Sequence, residues 1–342
     1  MRKDPETAGV GQRGMALVLT LMAISFLVAL TVQLFSTVNW QMQAAAAIGD
    51  GIRLDAMTRS ALNLARAALF ADQKENNFDS FHDGWHTLQP ERIAGLMGTG
   101  RLAIRVEDHS GLLQVNALVP ADKNPANRQQ RQLLESAQYE LWLRFLTSGR
   151  FAVEDREQAE ALLDALRDWI DDDGNERDKG AESGYYEGLN PPYTTRNGPI
   201  AYPEELLLIR GMTPALFYGN GEYLGLSRFI TVAAGDGKIN LNTAPPQILA
   251  ALAPNIDEEA VGKLVEFRQE EDNREALATP GWYKQVAGFP GDVDIPQALL
   301  TTKSQQFQIK AVAEENGVVR TGTGMIQRDD NGEQRLLFWE VR

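Results

Sequence analysis

No cysteine occurs among the 342 residues, which excludes a disulfide framework and a thiolate zinc centre. Stability must therefore come from packing, or from a hard metal held by oxygen. Basic residues are also in deficit. Against 47 Asp and Glu stand only 33 Lys and Arg, a formal net charge of -14, the wrong sign for a surface that grips nucleic-acid phosphates. Divalent cations suit such a chain better. No P-loop, dinucleotide fingerprint or nucleophile elbow stands in the strand-turn-helix setting it requires, so catalysis is not expected and no catalytic residue is assigned. Gly219-Asn220-Gly221 and Gly322-Thr323-Gly324 read as turn punctuation.

Charge is missing altogether between Arg13 and Asp50. Within that gap, Met15 to Val38 is long and apolar enough to cross a hydrocarbon core of about 30 Å as one helix. Arg2, Lys3 and Arg13 precede it, so the excess of basic residues on the cytoplasmic side puts the short tail inside and everything after the span outside. A cleaved secretory signal has a shorter apolar region ending at small residues, and this run is too long for one. Apolar residues then recur at helical spacing (Ile52, Ala56, Ala61, Leu62, Ala65, Leu69), so the helix is expected to continue to about residue 70 into a soluble domain. Spacing alone leaves a plain signal-anchor open.

Gly14 followed by Met15-Ala16-Leu17-Val18-Leu19 resembles the processing site of type IV prepilins and pseudopilins, where a prepilin peptidase cuts after the glycine and the new N-terminus is methylated. The resemblance makes 1–14 the leader and Met15 the mature first residue. Most of that family carries glutamate at the fifth mature position; Leu19 stands there instead. That narrows the resemblance to the K-type minor pseudopilins of type II secretion, which commonly lack it. A carboxylate in lipid is costly unless paired, and in these filaments it is thought to meet the amine of the preceding subunit. A subunit at the tip has no predecessor. The resemblance implies tip capping and initiation of a periplasmic pseudopilus, I-type and J-type minor pseudopilins as partners, and anchorage in the inner membrane by a single pass with the soluble domains in the periplasm. The competing reading is a membrane-anchored periplasmic binding module that catches secreted substrate or DNA.

Two segments echo each other: Glu107 to Ala117 and Ala234 to Ala244, each a turn, an alternating strand and then asparagine. Both resemble K-type signatures, and between them that family inserts a helical domain. Gln129 to Leu146, Glu154 to Ile170 and Pro203 to Ile209 show helical periodicity in agreement. Leu102 to Val106, Phe307 to Ala313 and Leu336 to Val341 read as strands, with hairpin turns at Asn316-Gly317 and Asp329-Asp330-Asn331-Gly332. The expected fold class is α+β: a pilin-like domain from 71–117 and 232–342, in which an antiparallel sheet packs on the long N-terminal helix, and an all-helical insertion at 118–231.

After Trp169-Ile170 comes Asp171-Asp172-Asp173-Gly174-Asn175-Glu176-Arg177-Asp178-Lys179-Gly180-Ala181-Glu182. Oxygen-bearing residues fall at positions 1, 3, 5 and 12 from Asp171, the spacing of calcium loops of the EF-hand kind, although the glycine stands at position 4 and no second helix is expected. Spacing alone leaves a calcium loop and a solvated acidic loop both open. The segment also resembles the calcium loop of K-type pseudopilins, which implies Asp171, Asp173 and Glu182 as ligands, with Asp172 and Asp178 as further candidates.

Two other patterns are demoted. Ile239 to Leu249 with Ala260 to Arg268 resembles a helix-hairpin-helix module, but its hairpin (Ala253 to Glu259) has no glycine and three acids, which would repel phosphate. It reads as a packing unit. His82-Asp83-Gly84-Trp85-His86 has the outline of a zinc-binding pair, but its glycine and the polar residues around it read as loop.

Overall fold

The computed structural model describes residues 11–88, 100–120, 125–233, 235–329 and 331–342. Helix α1 (Gly11–Glu75) is continuous through the apolar run and beyond it. In lipid every polar group must be satisfied within the segment. Three threonines of the apolar run meet this with the helix's own backbone: the hydroxyls of Thr20, Thr31 and Thr37 donate to the carbonyls of Leu17, Leu27 and Gln33 at 2.9, 2.7 and 2.9 Å. Side chains from residue 14 to 49 are exposed along it. Past Gly51 one face turns inward, with Leu54, Met57, Ala61, Leu62, Ala65 and Leu69 buried at spacings of one to four residues.

That face lies on a four-stranded antiparallel sheet in the order β1 (Arg101–Asp108), β6 (Gln306–Glu315), β7 (Val318–Arg328), β8 (Gln334–Val341). Leu102, Ile104 and Val106 of β1 and Phe307, Ile309, Ala311 and Ala313 of β6 alternate toward the helix. The expected three strands are present, and β7 is an addition. Gly322 and Gly324, read as turn punctuation, lie inside β7 opposite Ala311 and Ile309. The reason is steric. A Cβ on Gly322 would sit 2.3 Å from the Trp339 ring, and one on Gly324 would sit 2.6 Å from the Phe338 carbonyl oxygen. Glycine here makes room for the β8 tryptophan rather than breaking the strand. The β6–β7 hairpin turns at Asn316 and Gly317, both with positive φ (52° and 77°), as the paired-positive turn requires. In the β7–β8 turn Asp329 accepts from the amides of Asn331 and Glu333; Asp330 lies outside the described residues.

The rest of the chain forms a second lobe: β2 (Leu113–Gln114), α2 (Arg128–Leu146), α3 (Arg156–Ile170), α4 (Ser183–Glu187), α5 (Pro214–Tyr218), β3 (Ile230–Thr231), β4 (Ile239–Asn240), α6 (Pro246–Ala251), α7 (Glu258–Gln269) and β5 (Leu300–Thr301). The Pro203–Leu208 segment is a 3-10 turn rather than an α-helix. One apolar core runs from Leu113 to Leu300 and includes Trp142, Phe145, Leu163, Trp169, Leu249, Leu264 and Trp282. The boundary expected at residue 231 therefore does not follow the packing. Residues 239–300 bury their apolar side chains with the helices, and of the C-terminal part the strands from Gln306 onward join β1 against α1. Arg144 of α2 fixes this arrangement by donating to the carbonyls of Ala251 and Leu252 at the end of α6, at 2.8 and 3.1 Å.

The echoing segments are each only two residues of strand, and they pair in parallel, β2 with β3 and β4 with β5. Their asparagines do the joining. Asn116 donates to the carbonyls of Ile200 and Val232, while Asn240 donates to Asp79 O, Asp108 Oδ2 and Ser304 Oγ at 3.1, 3.0 and 2.7 Å. Buried polar groups of this kind fix a unique arrangement because an unpaired one is costly.

Candidate functional site

Gly14 and Met15, the expected cleavage positions, lie on the exposed N-terminal part of α1; residues 1–10 of the leader fall outside the described residues. Leu19 points outward on the same bare stretch. Among the described residues nothing covers this part of the helix, and its apolar surface is suited to lipid or to other helices. Trp40 stands near the end of the apolar run, where an amphipathic ring favours a membrane boundary.

The acidic loop is built from the end of α3. Asp168 and Asp171 lie one turn apart there and are both buried. The loop folds back so that Arg177 reaches both, its Nη1 lying 2.5 Å from Asp168 Oδ1 and 2.6 Å from Asp171 Oδ2, while its backbone amide donates to Asp168 Oδ2 at 3.2 Å. Gly180 must be glycine, since a Cβ would lie 1.8 Å from Asp168 Oδ2. Glu182 then caps the five-residue helix α4, a turn of helix that was not expected, accepting from the Ser183 amide. Burial raises the pKa of the Glu182 carboxyl, and the neighbouring Asp168 and Asp171 add to the rise; burial likewise raises Asp171, against the pull of Arg177.

Two buried oxygens in this cluster have no hydrogen-bond partner among the described residues: Asp171 Oδ1 and Glu182 Oε1. The other expected ligands are placed differently. Asp173 is exposed and its Oδ1 accepts from the amide and side chain of Asn175, while Asp172 and Asp178 face solvent. Of the residues expected as ligands, Asp171 and Glu182 are the buried ones, and Asp168, which was not expected, sits inside the helix three residues before the loop and acts electrostatically on both.

A second carboxylate cluster escaped the sequence reading. Asp72 from the end of α1 and Asp79 and Asp83 from the following loop bring oxygens within 4.8 Å of one another, all buried. Arg328 from β7 lies among them, 2.5 Å from Asp79 and 3.6 Å from Asp72, and Arg274 lies 3.3 Å from Asp83. Burial pushes Asp72 up to about 8, with repulsion from Asp83 and Asp79 adding and Arg328 opposing; burial also raises Asp79 and Asp83. Three Asp within twelve residues were visible, but their burial depends on an arginine far along the chain.

The demoted histidine pair stays demoted. His82 lies 2.9 Å from the Arg268 carbonyl oxygen and 2.8 Å from Glu271, whereas the His86 ring packs on Phe81 and Trp85. His109 is half-buried, 3.3 Å from Thr231 Oγ1, and desolvation lowers its pKa to about 4. At the helix-hairpin-helix segment Asn255 supplies the positive φ of 65° that glycine usually provides, and Asp257, Glu258 and Glu259 crowd the start of α7.

A bare apolar helix whose lower half carries an antiparallel sheet, with a helical lobe inserted between sheet strands, defines the class: a membrane-anchored subunit of the pilin kind. Comparison with known proteins narrows it. Family models described as Type II secretion system (T2SS), protein K, match residues 111–232 and 239–307, together more than half the chain. Type II secretion system protein K of Aeromonas hydrophila is 27% identical over 315 residues, covering 89% of each chain. The Klebsiella pneumoniae protein of that name is 37% identical over 129 residues, 37% of this chain and 36% of its own. Among solved structures, the GspK-GspI-GspJ complex from enterotoxigenic Escherichia coli has a chain with the same fold, at a TM-score of 0.61 and 17% identity, covering 87% of this chain and 99% of that one. The chain belongs to the type II secretion system protein K family, and its role is that of a minor pseudopilin in type II secretion.

Proposed function

We propose that this minor pseudopilin occupies the tip of the pseudopilus and initiates its assembly, together with I-type and J-type minor pseudopilins, from an inner-membrane anchor with both lobes in the periplasm. The observation that carries the reading is the uncharged α1 span. Leu19 stands where the resemblance expects a paired carboxylate, and a chain with no subunit ahead of it has nothing to pair one with. Small residues at Ala16, Ala23, Ser25 and Ala29 give α1 the close approach on which helix packing in lipid depends. The inserted lobe adds bulk above the sheet that a further stacked subunit would have to accommodate. A prepilin peptidase acting after Gly14 would free Met15 as the mature, methylated end. The GspK-GspI-GspJ complex solved from Escherichia coli supports the choice of partners.

Calcium belongs to the same proposal. The two buried, unpartnered oxygens of Asp171 and Glu182 fit an oxygen-seeking cation, which would supply the charge that ties the end of α3 to the start of α4. Asp168 lies within the same cluster. Asp173, Asp172 and Asp178, exposed as they stand, would have to come from the solvent side.

Co-expression in membranes tests the tip assignment. A stable ternary complex of this chain with an I-type and a J-type minor pseudopilin is expected from detergent extracts. Recovery of this chain alone, bound to an exported protein, would instead favour a substrate-catching module.

A further inference from the structure

Arg177 is the residue around which the acidic loop closes, and it stands inside the loop that is proposed to hold calcium. We infer that Arg177 is a tethered cation that competes with calcium for the carboxylates at the end of α3 and sets the affinity of the site. The inference rests on the calcium reading above and deepens it.

Its basis is geometric. One nitrogen, Nη1, lies within 2.6 Å of carboxylate oxygens from both Asp168 and Asp171, and the backbone amide of the same residue holds the second oxygen of Asp168. Asp168 is wholly buried, so without a cation its charge would be unsupported by solvent. Arg177 supplies that support. The partner it leaves unserved is specific: Asp171 Oδ1, on the same carboxylate, and Glu182 Oε1 remain buried without hydrogen bonds. Two orphaned oxygens beside an arginine-bridged pair make a carboxylate cluster only partly satisfied by one positive charge.

Arg177 keeps about a quarter of its side chain exposed, so it has a route outward. Glu176 and Asp178, which flank it, are exposed and cannot hold it in place by burial. A divalent ion entering between Asp171 and Glu182 would bring two charges against the arginine's one and repel the guanidinium into solvent. The helical lobe thereby keeps a neutralised loop in calcium-poor surroundings and exchanges one cation for another when the ion arrives. An ordinary calcium loop without such a residue would bind more tightly and lose order more completely when stripped.

The test is calorimetric titration of calcium into the full-length protein in detergent, beside melting curves with EDTA and with saturating calcium. R177Q removes the charge and most of the reach. Losing a competitor held by charge-assisted hydrogen bonds is expected to tighten calcium binding by about tenfold or more. R177Q should also melt below the wild type in EDTA and level with it in calcium. Should R177Q fail to fold, R177K keeps the charge with a single compact head, and a tightening of about two- to fivefold is expected. Wild-type affinity, or weaker, in whichever variant folds overturns the inference while leaving the calcium site standing. No calcium uptake by wild type or variant, with D171N melting unaffected by calcium, overturns both.

Discussion

Arg328 joins three parts of the molecule, and replacing it with methionine should unpin all three. The methionine keeps an apolar stem over Phe307, where the guanidinium carbon now lies 4.8 Å from the ring centre. It removes the 2.5 Å contact with Asp79, the 3.6 Å contact with Asp72, and hydrogen bonds to the carbonyls of Ser304 and Leu69 at 3.0 and 3.3 Å. Removing one partner of a buried ion pair costs about 3–5 kcal/mol, because the other charge stays buried without compensation. For a protein of this size that is roughly a 10 °C fall in melting temperature.

The loss should depend on pH in a definite direction. Asp72 has its pKa raised from 3.8 to about 8, so the stability it gives is full below 3.8 and is lost as pH rises through about 8. Arg328 opposes that rise in Asp72 and in Asp79. Without it both carboxyls hold their protons to higher pH, and the variant loses more stability across the same window. The deficit of R328M against wild type, read by circular dichroism melts, should be small near pH 4.5 and large near pH 8. An unchanged melting temperature at pH 8, or an equal deficit at both pH values, would refute the reasoning.

Three further substitutions test other joints. G322A should cost about 1–3 kcal/mol through overpacking against Trp339, seen as a lower melting temperature and a changed near-ultraviolet tryptophan signal; wild-type melting would show that the close approach is not needed. N240A leaves Asp79 O and Asp108 Oδ2 without a shared buried donor and should cost about 1–3 kcal/mol, with faster proteolysis between the lobes as its mark. His109, lowered from 6.5 to about 4 by burial, gives stability that is present above 6.5 and lost as pH falls through about 4. H109N should flatten the fall in melting temperature over that range, and an unaltered acid limb would contradict the assignment.

Much of this structure could be read from local pattern. The span announced itself by the lack of charge, and strands β1, β6 and β8 by alternation. The turn at Asn316-Gly317 followed from the need for two positive φ values. What stayed hidden depends on distant partners. Gly322 and Gly324 look like a turn until Trp339 is known to lie over them. Residues 239–300 look contiguous with the C-terminal strands until α6 is seen to pack on α2. At the acidic loop, the pattern picked out a stretch whose two end carboxylates, Asp171 and Glu182, are buried while Asp173 is exposed. Nothing local marks Asp168, which reads as one more helical residue, or the contacts of Arg177, which exist only once the loop has folded back. The Asp72, Asp79 and Asp83 cluster was invisible for the same reason: Arg328, which makes its burial tolerable, is far away in sequence.

The proposed assembly at the tip depends most on what happens at the N-terminal end of α1. Mass spectrometry of the N-terminal peptide of the protein purified from membranes that contain prepilin peptidase measures it directly. A peptide beginning at Met15 and heavier by one methyl group is the predicted result. A functional chain that still begins at Met1, with Gly14 and Met15 joined, would contradict it.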